Sequence, residues 1–376
     1  MNMKTLKFKL YNHQRNRSLK RSINAAGVIY NHCLALHRRY YRMYGNQLNC
    51  AKLQRHRVKL RKRKPFSQTV GSQAVQELCQ RIERAYLLFF KHHKKGVSPP
   101  GFKKIKKYKS FTLKPAGSKF IGGNRVKIAD RVYQYWNSRE IEETVKTLTI
   151  KRTALGELLM IVVVDDVSEP EAKFKTGKIA GFGFGWKTFL TISDGRKIAL
   201  PQFLKQSINA IKTASRQHSQ KRKESANRQR ARKNLVPKHE EVANRRCNWF
   251  WKMAHELTEK FEVLCFETLN TKGMQRLWNR KISDLAFGEF LQIIQWIATK
   301  KGKQVVFLWR WYPSSKSCSH GGHVLESLDI SVREWRFPSC QSINGQDENA
   351  ALNIQAVGAS TVRLGDVRQA RPAIAV

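Results

Sequence analysis

The chain has 376 residues and carries 72 Lys+Arg against 27 Asp+Glu, a net charge of +45. That length allows two or three domains with their own cores. That charge makes a polyanion, above all nucleic acid, the expected partner.

The longest apolar run, Leu158 to Val164, is strand-sized, so neither a membrane-spanning segment nor a membrane partner is expected. The first residues lack the apolar core of a signal peptide. Seven scattered cysteines without a Cys-x-x-Cys pair argue against a disulfide framework. A cytosolic nucleic-acid binder is the expectation.

Leu6, Phe8 and Leu10 alternate with Lys7 and Lys9, which predicts an opening strand with one basic face. Ile23, Ala26, Tyr30, Cys33 and Leu34 recur at helical spacing within a helix from Ser18 to about Tyr44. A second helix is predicted from Ser72 to Phe90. Between them "RHRVKLRKRK", Arg55 to Lys64, lacks acidic partners, and Arg55 and Arg57 are expected to lie along phosphates.

A Pro- and Gly-rich break at Gly96 to Ser110 is followed by strand-like segments at Phe111–Leu113, Val126–Ile128, Thr144–Arg152 and Leu158–Val164. Strand, helices, then strands suggest a β-barrel-like module with a helical insertion.

After Lys175 the pattern becomes that of an α/β layer domain. Gly181, Gly183 and Gly185 alternate with phenylalanines in a strand, and Asp194-Gly195 marks a hairpin turn. A phosphate-cradling loop would need a helix to follow, and none does. A long basic helical region comes next, broken at Pro237. Then follow an apolar strand Val263–Phe266, a helix Ile282–Lys300 and a strand Gln304–Trp309. Cys33, Cys79 and Cys265 read as small buried hydrophobes.

Three segments, "GFGFGWKTFLTISDG", "VLCFETLNTKGM" and "DENAALNI", taken with "SANRQRARKNL" and "YPSSKSCS", resemble in order and spacing the TnpB family of transposon-encoded RNA-guided DNA endonucleases. The resemblance implies an α/β multidomain fold. A β-barrel-like wedge domain would occupy 1–14 and 108–172, with a helical recognition domain at 15–107. A RuvC (RNase H-like) domain would occupy 173–311 and 343–358. A degenerate zinc ribbon would lie at 312–342 and a tail at 359–376.

The family's chemistry uses two Mg²⁺ ions roughly 3.5–4 Å apart, held by hard carboxylate oxygens. The matching positions here are Gly183, where the first-strand Asp belongs, Glu267, and Asp347. The family's Asp-Arg-Asp is Gly345-Gln346-Asp347 in this chain. Structural roles were open for both acids: Asp347 as a helix cap and Glu267 in an ion pair.

The family's Cys₄ ribbon survives only as Cys318 and Cys340, with Gly321 and Phe337 at the other two positions. His320 and His323 leave a Cys₂His₂ site conceivable. Neither Mg²⁺ nor Zn²⁺ is expected to bind.

The implied function is an RNA-guided DNA-binding protein that represses transcription without cutting. The alternatives are an active endonuclease and a decayed transposon remnant. Guide RNA and double-stranded target DNA are the implied partners of a monomeric, nucleoid-associated ribonucleoprotein. Lys7, Lys9, Arg55, Arg57, Lys221, Arg222, Lys223, Arg228, Arg230, Arg232 and Lys233 are the candidate contacts to nucleic acid.

Overall fold

The computed structural model describes residues 2–11, 16–166, 177–185, 188–269, 285–329, 332–337 and 340–363. It divides into two compact units, Met1–Val167 and Ser168–Val376.

In the first unit, strand β1 (Asn2–Lys9) lies antiparallel to a later strand, Leu158–Asp166, with Leu6 opposite Val162 and Phe8 opposite Met160. Helices α1 (Asn16–Tyr44), α2 (Cys50–Arg63) and α3 (Ser72–His92) intervene. The strands β2 (Ser110–Leu113), β3 (Ser118–Phe120), β4 (Arg125–Ile128), β5 (Arg131–Gln134), β6 (Val145–Arg152) and β7 (Leu158–Asp166) follow.

They form an open four-stranded sheet, β1-β7-β6-β2, and an open three-stranded sheet, β3-β4-β5. The strands expected in a barrel-like module are thus two sheets, stitched where β1 runs out: Leu10 bridges Tyr135, and the Trp136 N–H donates to the Lys9 carbonyl at 2.8 Å.

Alternation drives the packing. Leu6, Phe8, Leu10, Met160, Val162 and Val164 are buried on one face together with Ile23, Cys33 and Leu34 of α1 and Leu78, Cys79 and Ile82 of α3.

In the second unit, β8 (Ile179–Phe184), β9 (Leu190–Ile192) and β10 (Lys197–Ile198) form an antiparallel meander. The Asp194-Gly195 turn sits between β9 and β10, with Gly195 at φ +86°. Helices α4 (Phe203–Ser219) and α5 (Ala226–Lys260) then lead to β11 (Val263–Glu267), α6 (Phe287–Lys300) and β12 (Gln304–Leu308). A short hairpin, β13 (Glu334–Arg336) and β14 (Ile343–Gly345), precedes α7 (Gln346–Arg363).

The sheet order is β10-β9-β8-β11-β12, with β11 parallel to both β8 and β12. The inner strand β11 is buried on both sides, which explains its unbroken apolar run. Leu264 and Phe266 face a core shared with α5 and α6, while Val263 and Cys265 face Ile354 of α7. Phe182 stacks on Phe266 at 4.8 Å, and burial of each such ring is worth about 1.5–3 kcal/mol.

The close packing of α7 on this sheet dictates two glycines. A Cβ on Gly181 would lie 2.1 Å from the Ala351 carbonyl oxygen, and one on Gly358 would lie 2.2 Å from Cys265 Sγ. Cys33, Cys79 and Cys265 are all fully buried, as their apolar surroundings predict.

Three sequence expectations need correction. The basic helical region is not broken at Pro237, which lies inside α5; the break falls at residues 220–225, where Glu224 has φ +66° and the Ser225 side chain caps α5 by accepting from the Arg228 N–H. Pro237 removes one helical hydrogen bond on an exposed stretch. α5 is retained because Val242, packed with Phe203 and Ile211 of α4, anchors it beyond that point. The helix predicted from Ile282 is interrupted: Leu285 is helical, Ala286 at φ +44° is left-handed, and α6 runs on from Phe287; 282–284 lie outside the described residues. The last strand stops at Leu308, and Trp309 opens a turn closed by the Tyr312 N–H. Of the tail expected at 359–376, residues 359–363 continue α7 and 364–376 lie outside the described residues. No helix among the described residues is long and apolar enough to cross a membrane.

Candidate nucleic-acid interface and carboxylate edge

Because β8, β11 and β12 run parallel, their carboxyl ends share one edge of the sheet. Phe182 pairs with Phe266, so Gly183 and Glu267 are one step further along neighbouring strands. The Phe184 N–H donates to Glu267 Oε1 at 3.3 Å. Asp347, the second residue of α7, meets the same edge: its carbonyl oxygen lies 3.6 Å from where a Gly183 Cβ would sit, and its Oδ2 3.9 Å from the corresponding point on Gly185. The structure therefore brings Gly183, Glu267 and Asp347 together, from two neighbouring strand ends and a helix start.

Glu267 is partly buried, and that desolvation pushes its carboxyl up to about 7, opposed by the Phe184 N–H and reinforced by the negative charge of Asp347. No cation pairs with it among the described residues. The capping role of Asp347 is corrected. α7 begins at Gln346, so Asp347 lies inside the first turn, where its charge complements the helix dipole. Its neighbour Glu348 pairs with Lys197 at 2.8 Å.

Gly183 differs from Gly181 in what surrounds it. The space beside Gly181 is filled by the α7 backbone, whereas a Cβ at 183 would make only an ordinary contact. A Cβ clash does not require glycine at 183.

Two residues missed in the sequence tie this edge to the next loop. Asn349 and Asn353, one turn apart on α7 and buried, hold "YPSSKSCS". Asn349 Nδ2 donates to the Ser317 carbonyl at 2.6 Å and its Oδ1 accepts from the Ser319 N–H at 2.9 Å. Asn353 Nδ2 donates to the Ser314 and Ser317 carbonyls at 2.9 and 2.7 Å. Their signal was two amides four apart among the apolar residues of "NAALNI".

In the ribbon region Cys318 Sγ and Cys340 Sγ are 3.3 Å apart, and the Gly321 N–H points at Cys318 Sγ from 3.3 Å. Phe337, fully buried, packs edge-on against Trp335 where a third sulfur would stand in the family pattern. Burial opposes ionisation of Cys318, yet hydrogen bonds from Gly321, Ser342, His320 and Cys340 outweigh it and bring the thiol down to about 7. His320 and His323 are exposed, and His323 meets Cys318 only through its backbone carbonyl. Among the described residues no group of three or more His, Cys, Asp or Glu is placed to hold a metal ion.

The basic candidates divide. Lys7, Arg55, Lys221, Arg222, Lys223, Arg230, Arg232 and Lys233 are exposed. Lys221, Arg222 and Lys223 lie in the turn between α4 and α5 rather than on a helix. Lys9 is engaged by Glu157 at 2.8 Å. Arg228 is half-buried and donates to the Lys221 carbonyl at 2.8 Å, bracing that turn. Arg57 is a correction: it is 3% exposed, because α2 turns Leu53 and Arg57, four apart, toward the core. Burial lowers its pKa, and it cannot lie along phosphates in this conformation.

A strongly basic chain with a five-stranded mixed sheet, carboxylates at its carboxyl edge and exposed cations is of the nucleic-acid-handling α/β class. Two family models match it: OrfB_IS605, "Probable transposase", over 161–277, and "Cas12f1-like, TNB domain" over 287–354. A "Putative RNA-guided DNA endonuclease" of Streptomyces pristinaespiralis is 28% identical over 93% of this chain and 87% of its own length. A protein of the same description, InsQ of Escherichia coli K12, is 24% identical over 80% and 78%. In fold the chain resembles Cas12f1, solved in a complex with sgRNA and target DNA, with a TM-score of 0.58 at 15% identity, covering 91% of this chain and 83% of that one. The chain is thus similar in sequence to the TnpB family and has a TnpB/Cas12-like multidomain fold.

Proposed function

We propose that this chain is an RNA-guided DNA-binding protein that holds a guide RNA and a matched DNA duplex without cutting it, and so represses transcription. The observation that carries this reading is Gly183: the strand position beside Glu267 and Asp347 would accept a Cβ without a clash and offers no oxygen. Two Mg²⁺ ions need hard oxygen donors in near-octahedral array, with one carboxylate between them. The residues present do not fit that pair. Glu267, held near 7 by desolvation, is a poor ligand until something cationic approaches.

What this chain's own residues do is bind. Exposed Lys7, Arg55, Lys221, Arg222, Lys223, Arg230, Arg232 and Lys233 supply backbone contacts, and sequence choice comes from base pairing with the guide. On this reading the first unit corresponds to the wedge and helical recognition domains. The sheet β10-β9-β8-β11-β12 is the RuvC-like core, and Cys318 to Cys340 is the remnant ribbon. The ribonucleoprotein is a nucleoid-associated monomer.

The names of the relatives favour the second reading, an active endonuclease. One experiment separates them. A reporter with a matched or scrambled target at its promoter is assayed with and without the co-purified RNA, and the plasmid is recovered. Lower output only with match and RNA, on intact supercoiled DNA, is expected. Guide-dependent nicking abolished by Glu267→Ala would establish the endonuclease; equal output in all arms on intact DNA would leave a decayed remnant.

A further inference from the structure

The carboxyl edge of the second unit's sheet carries two large aromatic side chains that the fold does not use. Leu308 ends β12 in register with Glu267, and the next residues are Trp309, Arg310 and Trp311. Trp309 is 73% exposed and Trp311 66%. Tryptophan is highly buried on average, so two at this exposure within three residues lack a packing explanation.

Nor is the loop slack. The Tyr312 N–H donates to the Trp309 carbonyl at 3.0 Å, and Thr268 Oγ1 donates to the Leu308 carbonyl at 2.6 Å. Asn353 holds the Ser314 carbonyl just beyond. The Arg310 guanidinium lies 4.7 Å over the Trp311 ring. Two exposed rings on a hydrogen-bonded loop, beside a guanidinium and on a chain of net charge +45, match the chemistry of unpaired bases on a phosphate backbone.

The geometry points to Trp309 and Trp311 as a stacking platform for an unpaired DNA strand, held at the sheet edge that also carries Gly183, Glu267 and Asp347. This rests on the proposed DNA-binding function and names the part of the DNA that this edge takes. DNA is favoured over RNA because the platform shares its edge with the remnant carboxylates, at the position where relatives described as DNA endonucleases would present a strand for cutting. Stacking is indifferent to sequence, since every base has a π-face, which suits a protein whose specificity comes from a guide.

The test uses the full chain with its co-purified RNA. Its probes are an unlabelled 20-nucleotide oligo-dT for tryptophan fluorescence, and labelled oligo-dT, an abasic strand of the same length and oligo-U for anisotropy. Trp309→Ala and Trp311→Ala should each weaken oligo-dT binding roughly tenfold and leave abasic-strand binding unchanged. The slope of log affinity against log salt should stay as in the parent, because stacking releases no counterions. Trp→Phe should retain most of the affinity, and oligo-dT should quench tryptophan fluorescence where the abasic strand does not. Equal losses for abasic and base-bearing strands, unchanged affinity, or a loss confined to oligo-U would overturn the platform. Failure of the guided-binding reading registers separately, as absence of co-purifying RNA or of match-dependent repression, and does not alter the oligo-dT comparison.

Discussion

Restoring a carboxylate at position 183 probes the site most directly. Gly183→Asp should fit, since its Cβ meets nothing nearer than the Asp347 carbonyl oxygen at 3.6 Å. Its charge then faces Glu267, already raised to about 7, and Asp347. At about 5 Å and an effective dielectric near 20, a like-charge pair costs about 3 kcal/mol. Glu267 can escape that by keeping its proton, at a cost that depends on pH. At pH 8.5 the proton must be held about 1.5 units above the carboxyl's pKa, or about 2 kcal/mol; at pH 6 it is already bound. Relative to the neutral isostere Gly183→Asn, the Asp variant should therefore melt roughly 4–8 °C lower at pH 8.5 and nearly level with it at pH 6. Millimolar Mn²⁺ or Mg²⁺ should close the gap, since a tenfold excess over Kd returns about 1.4 kcal/mol, while the parent chain gains nothing. Guide-dependent cleavage should remain slight, because Gly345 and Gln346 still depart from the family pattern. Differential scanning fluorimetry across pH, with and without metal, reads the outcome. Asp and Asn variants that melt together under every condition would mean that the three positions do not share a site, and robust cutting by the Asp variant would show the other two changes to be neutral.

The remaining predictions concern the same edge. Gly181→Ala should destabilise by about 3 kcal/mol or more in denaturant unfolding, because its Cβ would enter the α7 backbone, whereas Gly183→Ala should be neutral or up to about 1 kcal/mol stabilising. For Glu267 the folded pKa lies above its ordinary 4.5, so the fold disfavours the ionised form. The penalty is absent below about pH 4.5, grows between there and about 7, and is complete above it, reaching at most about 3 kcal/mol before solvent screening. Glu267→Gln should accordingly be more stable than the parent at pH 8 and equal to it near pH 4.5; no gain at pH 8 would mean that a cation already sits beside Glu267.

The site was legible through the family resemblance, which put Gly183, Glu267 and Asp347 in one place, and in the structure the three do meet. What composition hid was direction. "RHRVKLRKRK" reads as uniformly cationic, but a helix sorts it into faces, and one arginine, Arg57, falls on the buried side with Leu53. Likewise Pro237 is a breaker by propensity, yet tertiary packing through Val242 overrides it, while the true break depended on a serine cap. Asn349 and Asn353 were silent because their partners are backbone carbonyls, which no sequence pattern displays.

Gly181 and Gly183 separate two demands that a single strand can carry. At 181 the backbone of α7 leaves no room, so glycine there is a condition of folding. At 183 there is room, and what is absent is an oxygen, which only chemistry would require. The same division runs through the neighbouring loop. Asn349 and Asn353 still hold it in place by buried hydrogen bonds, while Gly321 and Phe337 stand where thiolates would. Contacts that keep the edge in shape are thus present, while the residues at the family's metal positions differ at Gly183, Gly321 and Phe337. The exposed pair Trp309 and Trp311 belongs to neither set: the fold gains nothing from it and metal chemistry does not need it. A platform for bases accounts for its exposure and, on the function proposed above, gives this edge the task of holding an opened strand.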